Sequence, residues 1–385
     1  MKSANWSYPT AMRFGPGRIA EIADACTAAG IRRPLLVTDP GLAALPMIPA
    51  TLERLRGAGL AAEVFSDVKA NPVERNVETG VAAFHGGSHD GVIAFGGGSA
   101  LDVGKVIALM VGQSRPLWDF EDIGDWWTRA DASRIAPVIA VPTTAGTGSE
   151  VGRAGVITNS ATHEKKIIFH PKLMPVVVIS DPELTVGLPA RVTAATGMDA
   201  LAHCLEAYCA PSYHPMAEGI AVEGMRLVKD WLPRAVAEGT DIEARGHMLV
   251  AASMGATAFQ KGLGAIHALS HPVGGLYDTH HGLTNAVFMP YVLAFNRAAI
   301  EDKVERLAAW LGLSGGFGAV MDWVLALRAE LGIPHTLEGL GVPIEGAGQV
   351  ARMAVVDPSA GGNPVTLDEA GARAIFDMAM AGRLA

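Results

Sequence analysis

Four of the chain's twelve histidines fall within fifteen positions, in the stretch GLGAIHALSHPVGGLYDTHHGLTNAVFMPYVLAFN at 262–296. His267 and His271 are four residues apart, a spacing that puts both on one face of a helix. Gly274 and Gly275 are expected to end that helix, with His280 and His281 on a short turn before a second apolar helix. Imidazole is the commonest metal-ligating side chain, and two from one helix plus one from the next turn make part of a coordination shell. The matching anion is expected in TGMDALAHCLEAY (196–208), where Asp199 and His203 repeat the i, i+4 spacing. A single histidine on an apolar helix is usually a satisfied core residue. Two alanine-rich helices that each carry a polar pair are a different case, because burying four such groups without partners is costly. A shared divalent cation is one economical way to satisfy them.

A second kind of chemistry lies earlier in the chain. GVIAFGGGSALDVGK (91–105) reads as a buried strand, a turn Gly96-Gly97-Gly98-Ser99, and a helix starting near Ala100. Glycine lets the backbone approach a phosphate closely, and the N–H groups and dipole at a helix start favour the anion. The turn is neither the GxGxxG fingerprint nor a Walker loop, and such turns also serve simply as tight connections. PTTAGTGSEV (142–151) follows another apolar strand and offers the hydroxyls of Thr143, Thr144, Thr147 and Ser149, although Ser/Thr-rich turns are common without a ligand. Two such loops at the carboxyl ends of parallel strands point to a dinucleotide. Asp39 ends the strand PLLVTD. A carboxylate there accepts hydrogen bonds from ribose hydroxyls and repels a 2′-phosphate, which favours NAD over NADP.

The elements that must position these groups divide the chain in two. Up to about residue 190, short β-branched runs alternate with alanine-rich stretches: PLLVTD (34–39), AAEVFSDV (61–68), GVIAFGG (91–97), APVIAVPTT (136–144) and MPVVVISD (174–181). That alternation is the mark of a parallel sheet covered by helices on both faces. Beyond Gly187-Leu188-Pro189 the strand pattern vanishes, and 191–210, 214–237, 241–260 and 298–311 read as helices. The expected plan is an α/β dinucleotide-binding domain with a parallel, Rossmann-like sheet over 1–188, followed by an all-helical metal-binding domain over 189–385. A chain of 385 residues is also too long for one ordinary core.

Composition narrows the partners. A net charge of −9 and the absence of a lysine or arginine cluster argue against nucleic acid. No apolar run is long enough to span a bilayer, and no charged-then-apolar leader opens the chain, so a cytoplasmic protein without a membrane partner is expected. Cys26, Cys204 and Cys209 are odd in number and lack metal-type spacing, which fits a reducing cytosol.

Taken in order, GGGSALDVGK, PTTAGTGSEV, ATGMDALAHCLEAY and HALSHPVGGLYDTHHG resemble the iron-containing (group III) alcohol dehydrogenases. The likeness runs from FGPGRI (14–19) through NPVERNV (71–77) to GGNPVTLDE (361–369), nearly the whole chain. The resemblance implies the architecture that family shares with dehydroquinate synthase, and an NAD(H)-linked oxidoreductase with a divalent metal, usually Fe²⁺. The metal ligands it implies are Asp199, His203, His267 and His281. His271 matches the family histidine beside nicotinamide and substrate, which helps to relay the proton. Gly97, Gly98 and Ser99 match the pyrophosphate loop, with Asp102 next in it. Thr143, Thr144, Val151, Asp39 and Asn71 match cofactor contacts. Lys165 matches a lysine that reaches the cofactor ribose, and its distance to Gly187-Leu188-Pro189 favours it over Lys166. One departure is His280, where many members carry proline; the doubled histidine leaves the ligand open, and the family's spacing of fourteen from His267 favours His281.

The implied chemistry is coherent. A divalent ion lowers the pKa of an alcohol and, in the reverse direction, polarises a carbonyl. Hydride then passes between the substrate carbon and C4 of nicotinamide, while His271 carries the proton to solvent. One carboxylate and three neutral imidazoles leave such a centre with about one net positive charge, and the same ligand set accepts Zn²⁺ or Ni²⁺ as well as Fe²⁺. No extra cationic cluster adjoins the metal motifs, so the expected substrate is a small primary alcohol or its aldehyde, diols and ω-hydroxy acids included. LWDFEDIGDWW (117–127) and Tyr277 are candidate pocket residues, although the tryptophans suit surface packing equally well. A metal- and NAD-dependent lyase of the dehydroquinate synthase type is the main rival; it calls for several basic residues and for Glu where Asp199 stands. A metal hydrolase would leave the two phosphate-type loops unexplained. A non-catalytic binding module would have no use for His271. A homodimer or larger homo-oligomer is expected, with ANWSYPTAMRFG (4–15) supplying an edge strand that pairs across a two-fold axis.

Overall fold

A computed structural model describes residues 9–384. Contacts divide them into two compact units, 9–144 with 148–187, and 145–147 with 188–384.

In the first unit the strands are β1 (Ala11–Phe14), β2 (Pro34–Val37), β3 (Glu63–Phe65), β4 (Gly91–Gly96), β5 (Val138–Pro142), β6 (Ala154–Thr158), β7 (Lys165–Phe169) and β8 (Val177–Ser180). Six of them form one sheet in the order β1-β8-β5-β4-β2-β3, with every neighbouring pair parallel. Its helices are α1 (Ile22–Ala28), α2 (Pro40–Ala43), α3 (Met47–Gly57), α4 (Glu74–Gly86) and α5 (Gly98–Met110). β2, β4 and β5 are buried at every position, the reason they read as unbroken apolar runs rather than alternating ones. β6 and β7 form a separate antiparallel hairpin, which the strand-helix alternation does not foretell. β1 lies on the sheet edge; residues 4–8 of the expected edge segment fall outside the described residues.

The strand order reverses in one place. From β2 the chain runs outward to β3, then returns to β4 on the other side of β2. The crevice beyond the carboxyl ends of β2 and β4 is therefore the topological switch point, where ligands bind in open α/β sheets. Asp39 follows β2 and Gly96-Gly97 closes β4. Both expected cofactor elements sit at that point.

The second unit consists of α6 (Ala190–Cys209), α7 (Pro215–Ala237), α8 (Ile242–Ala258), α9 (Ala265–Tyr277), α10 (His281–Trp310), α11 (Gly316–Glu330), α12 (Ala347–Val355) and α13 (Glu369–Ala381). Among the described residues no strand follows Ser180, and no helix is long and apolar enough to cross a membrane. α6 is buried over nearly its whole length and packs on α7, α8 and α10 through small residues. A β-carbon on Gly255 of α8 would stand 3.0 Å from His203 Cβ, and one on Gly282 of α10 only 2.1 Å from the Ala195 carbonyl. Glycine at those points lets the helices come close enough to share a polar site.

One expectation is corrected here. Gly274 and Gly275 do not end the histidine helix, since α9 runs on to Tyr277. Each glycine costs about 1 kcal/mol of helix propensity, but α9 is packed against α10 and α12, and that burial outweighs the penalty. The helix stops instead at Asp278, in the left-handed region at φ 52°, whose N–H reaches the Gly274 carbonyl. His280 then takes the N-cap position of α10 without a side-chain cap, and His281 is its first residue.

Candidate metal centre and cofactor loops

α6 carries Asp199 and His203 on one face, and α9 presents His267 towards them. One donor atom from each of these three buried side chains lies within 4.8 Å of the others. The Oδ1 atom of Asp199 is 3.9 Å from His203 Nε2, 3.8 Å from His267 Nε2 and 3.5 Å from His281 Nε2. Donors bound about 2.1 Å from a common ion in a tetrahedron lie about 3.4 Å apart, so the three buried donors of Asp199, His203 and His267 suit a divalent cation, with His281 beside Asp199 at 3.5 Å. His281 stacks on His271 with ring centroids 5.4 Å apart, whereas His280 is exposed.

The electrostatics suit the same purpose. Burial opposes ionisation of Asp199, but His203, His281 and His267 outweigh it and hold the carboxyl well below its usual range. Burial pushes His203 down to about 4. For His267 burial works in the same direction, yet the Glu206 and Asp199 carboxylates overcome it and raise the ring to about 9. An ionised carboxylate ringed by imidazoles, deep in an apolar helical core, is a cation site.

Three further residues complete the cluster, none of them picked out from the sequence. Glu206 is 2.6 Å from His267 Nδ1 through Oε2, and its Oε1 accepts the Ile266 N–H at 2.6 Å. Asn285 is fully buried; its Nδ2 lies 2.7 Å from Asp199 Oδ1, 3.1 Å from His281 Nε2 and 3.3 Å from His267 Nε2. Asp357 Oδ2 is 2.8 Å from His271 Nδ1. Glu206 and Asn285 had a local signal: one continues the α6 stripe three residues past His203, the other follows His281 by four. Asp357 is 86 residues from its partner, a separation that no local pattern bridges. Glu206 also changes the charge count. Against a divalent ion, Asp199 and Glu206 together leave the buried cluster neutral, where Asp199 alone leaves one positive charge.

In the α/β unit, Gly96 has φ 150°, and a β-carbon there would lie 2.8 Å from Ala100 Cβ, so only glycine fits. Gly97 takes the N-cap position of α5 and supplies no side-chain cap, which leaves the first N–H groups of Gly98, Ser99 and Ala100 to an anion. Ser99 Oγ donates to the Ala70 carbonyl at 2.5 Å, drawing the Asn71 loop to this turn. Thr144 stands against Gly97, and the Thr143 N–H donates to the Gly96 carbonyl at 3.0 Å. Val151 is buried beside this second loop.

Other expected cofactor residues have structural partners. Asp39 caps α2 through Oδ1, which accepts the Leu42 N–H at 2.9 Å. Asp102 accepts from Ser149 Oγ at 2.5 Å and from the Val156 N–H at 3.0 Å, and pairs with Lys105 at 3.5 Å. Lys166 is paired with Glu121 and Glu164 at 3.2 and 3.1 Å; Lys165 opens β7 opposite Thr158. Trp126 stacks under the Arg129 guanidinium and Trp127 edges onto His170, so both tryptophans have packing roles within their own unit.

An α/β unit with a phosphate-type turn at its switch point, in one chain with a helical unit holding a buried carboxylate–imidazole cluster, has the parts of an enzyme that uses both a dinucleotide and a metal. The chain belongs to the iron-containing alcohol dehydrogenase family: residues 9–182 match the iron-containing alcohol dehydrogenase model, and residues 193–380 the C-terminal model of the same family. It is 39% identical to a 4-hydroxybutyrate dehydrogenase of Cupriavidus necator, over 97% of this chain and 99% of that protein. It is 36% identical to the NAD-dependent methanol dehydrogenase of Bacillus methanolicus, over 94% of this chain and 95% of that one. A solved structure of 1,3-propanediol oxidoreductase superposes with a TM-score of 0.93 at 36% identity, covering 98% of this chain and 100% of that chain. These relatives are dehydrogenases, and the lyase reading is set aside.

Proposed function

We propose that this chain interconverts a short primary alcohol and its aldehyde with NAD(H), using a divalent metal held by Asp199, His203, His267 and His281. The observation that carries the reading is the 3.5–3.9 Å spacing of the three imidazoles around Asp199 Oδ1 in a chain of this family. A divalent ion in that cluster supplies Lewis acidity to an alcohol or carbonyl oxygen. The three relatives above are named for 4-hydroxybutyrate, methanol and 1,3-propanediol. All three compounds end in a primary alcohol.

The chain's own residues divide the remaining work. Gly97, Gly98 and Ser99 receive the pyrophosphate at the start of α5. Asp39 takes the ribose hydroxyls, with Asn71, Asp102, Thr143, Thr144, Val151 and Lys165 completing the cofactor contacts, and NAD is preferred over NADP. His271 carries the proton between substrate oxygen and solvent. Fe²⁺ is the ion favoured by family membership, with Zn²⁺ an alternative for the same ligands. We place the domain boundary at 188/189, with the dinucleotide on the α/β side and the metal on the helical side. Three free, buried thiols fit a cytoplasmic setting. The exposed Met12 and Phe14 on edge strand β1 fit a two-fold pairing between copies.

The substrate class is tested with NADH and an aldehyde panel under anaerobic conditions: formaldehyde, 3-hydroxypropanal, succinic semialdehyde, a branched ketone and a phosphorylated sugar. The terminal aldehydes should be reduced and the ketone and sugar left alone. Loss of phosphate from the sugar without net oxidation of NADH, and no reduction of any aldehyde, would reinstate the lyase reading.

A further inference from the structure

Each of the two α9 histidines has a carboxylate of its own on the Nδ1 side. The Glu206 side chain is 6% exposed and that of Asp357 8%, so water does not readily take their place. A carboxylate only accepts, so the ring nitrogen facing it bears the proton. In His267 and His271 alike, that leaves Nε2 as the nitrogen with a lone pair when the ring is neutral.

We propose that Glu206 and Asp357 are positioning residues with divided tasks. Glu206 makes His267 a metal ligand, and Asp357 makes His271 a proton carrier that is not a ligand. This rests on the site reading given above.

Both carboxylates are held from two sides. Glu206 joins His267 Nδ1 to the Ile266 N–H at the start of α9, where Gly264 supplies no side-chain cap. It therefore fixes the tautomer and also ties the first turn of α9 to α6, the helix that bears Asp199 and His203. Asp357 joins His271 Nδ1 to the Ser359 N–H, 2.8 Å from Oδ1. The two come from different elements, a core helix and the loop after α12, so each can be altered without touching the other. An amide replaces neither. Gln or Asn has one acceptor oxygen, and one of the two N–H donors would face an NH₂ group instead.

The test compares wild type, Glu206→Gln and Asp357→Asn. Each is stripped of metal, titrated calorimetrically with Zn²⁺, then reloaded and assayed for kcat and KM. Glu206→Gln should bind Zn²⁺ about 10–100-fold more weakly, the usual effect of losing a carboxylate behind a ligand histidine. Asp357→Asn should bind Zn²⁺ as wild type does and lose about 100-fold in kcat with KM little changed, as expected for an impaired proton carrier. Equal weakening in both variants, unweakened binding in Glu206→Gln, or an unchanged kcat in Asp357→Asn would overturn the division. If a variant does not fold, ¹⁵N-histidine NMR of Zn²⁺-loaded wild type decides the matter. In their neutral forms both rings should carry the proton on Nδ1, and a neutral ring of either with its proton on Nε2 contradicts the proposal. Absence of turnover in the wild type would count against the dehydrogenase reading, while the calorimetric and NMR arms would still judge the two carboxylates.

Discussion

At the residue scale, the centre of the site is one ionised carboxylate with imidazoles on three sides. His267 is raised to about 9 in the metal-free protein, above the usual value of about 6.5 for an unfolded chain. A raised base stabilises the fold in its protonated form: the contribution is complete below about pH 6.5 and is lost as pH rises through about 9. Metal binding needs the neutral ring, so the ion must displace that proton. Zn²⁺ titration of the metal-free protein at pH 7 should therefore release close to one proton, and almost none at pH 10. Calorimetry in buffers of different ionisation enthalpy measures this directly. Zero release at pH 7 would show that His267 is already neutral and that Glu206 does not charge it.

Legibility at this scale followed locality. The four candidate ligands and His271 form two i, i+4 pairs and a turn, patterns that survive without any knowledge of the fold. Glu206 belonged to the same stripe, but a glutamate on a helix is read as a solvated side chain until its burial is known. Asp357 reaches its histidine only through tertiary packing. The count of one net positive charge holds for the four ligands alone, and Glu206 adds a carboxylate behind them.

At the element scale, the site depends on how closely α10 approaches α6. Gly282 has no room for a β-carbon against the Ala195 carbonyl, and Asp199 Cβ would lie 3.3 Å from that atom. Gly282→Ala should push α10 outward, costing about 1–3 kcal/mol of stability as overpacking does, and carry His281 away from Asp199. Gly318→Ala, in a helix with open space around the new methyl, should instead gain about 0.5–1 kcal/mol. Denaturant unfolding and Zn²⁺ affinity read both. Undiminished metal affinity in Gly282→Ala would remove α10 from the ligand set.

The cap of α2 poses a separate question, because Asp39 serves the helix and is also assigned to the ribose. Asp39→Asn keeps an oxygen for the Leu42 N–H and removes the charge, so stability should stay within about 0.5 kcal/mol. Asp39→Gly removes both. If the charge discriminates, both variants should raise the NADP-to-NAD ratio of kcat/KM. If neither does, Asp39 is a helix cap and nothing more. Strands β2, β4, β5 and β8 were legible as buried β-branched runs, whereas the hairpin β6–β7 was not. Its outer strand, KKIIF, begins with two lysines, and neither strand has the continuous burial of the central sheet.

At the scale of the whole molecule, the order of strands matters as much as their existence. The reversal at β2 and β4 brings Asp39 and the glycine turn, more than fifty residues apart in the chain, to one crevice. Strand order is not written in periodicity, so the sequence pointed to a dinucleotide from the strand-end position of these groups, without showing that β2 and β4 are neighbours. The edge strand β1 leaves Met12 and Phe14 37% and 43% exposed. Sedimentation at micromolar concentration should show a dimer or larger species. A monomer would dissociate the edge strand from assembly and leave the chemistry untouched.

The central claim is that Asp199 and its three histidines hold the metal on which turnover depends. Its most direct test is anaerobic NADH oxidation with a short aldehyde, using metal-free wild type and Asp199→Ala, each reloaded with Fe²⁺, Zn²⁺ or nothing. Turnover is expected only in metal-loaded wild type, with NADH still bound by Asp199→Ala because the cofactor loops lie in the other unit. Metal retained and active in Asp199→Ala, or full turnover by metal-free wild type, would contradict it.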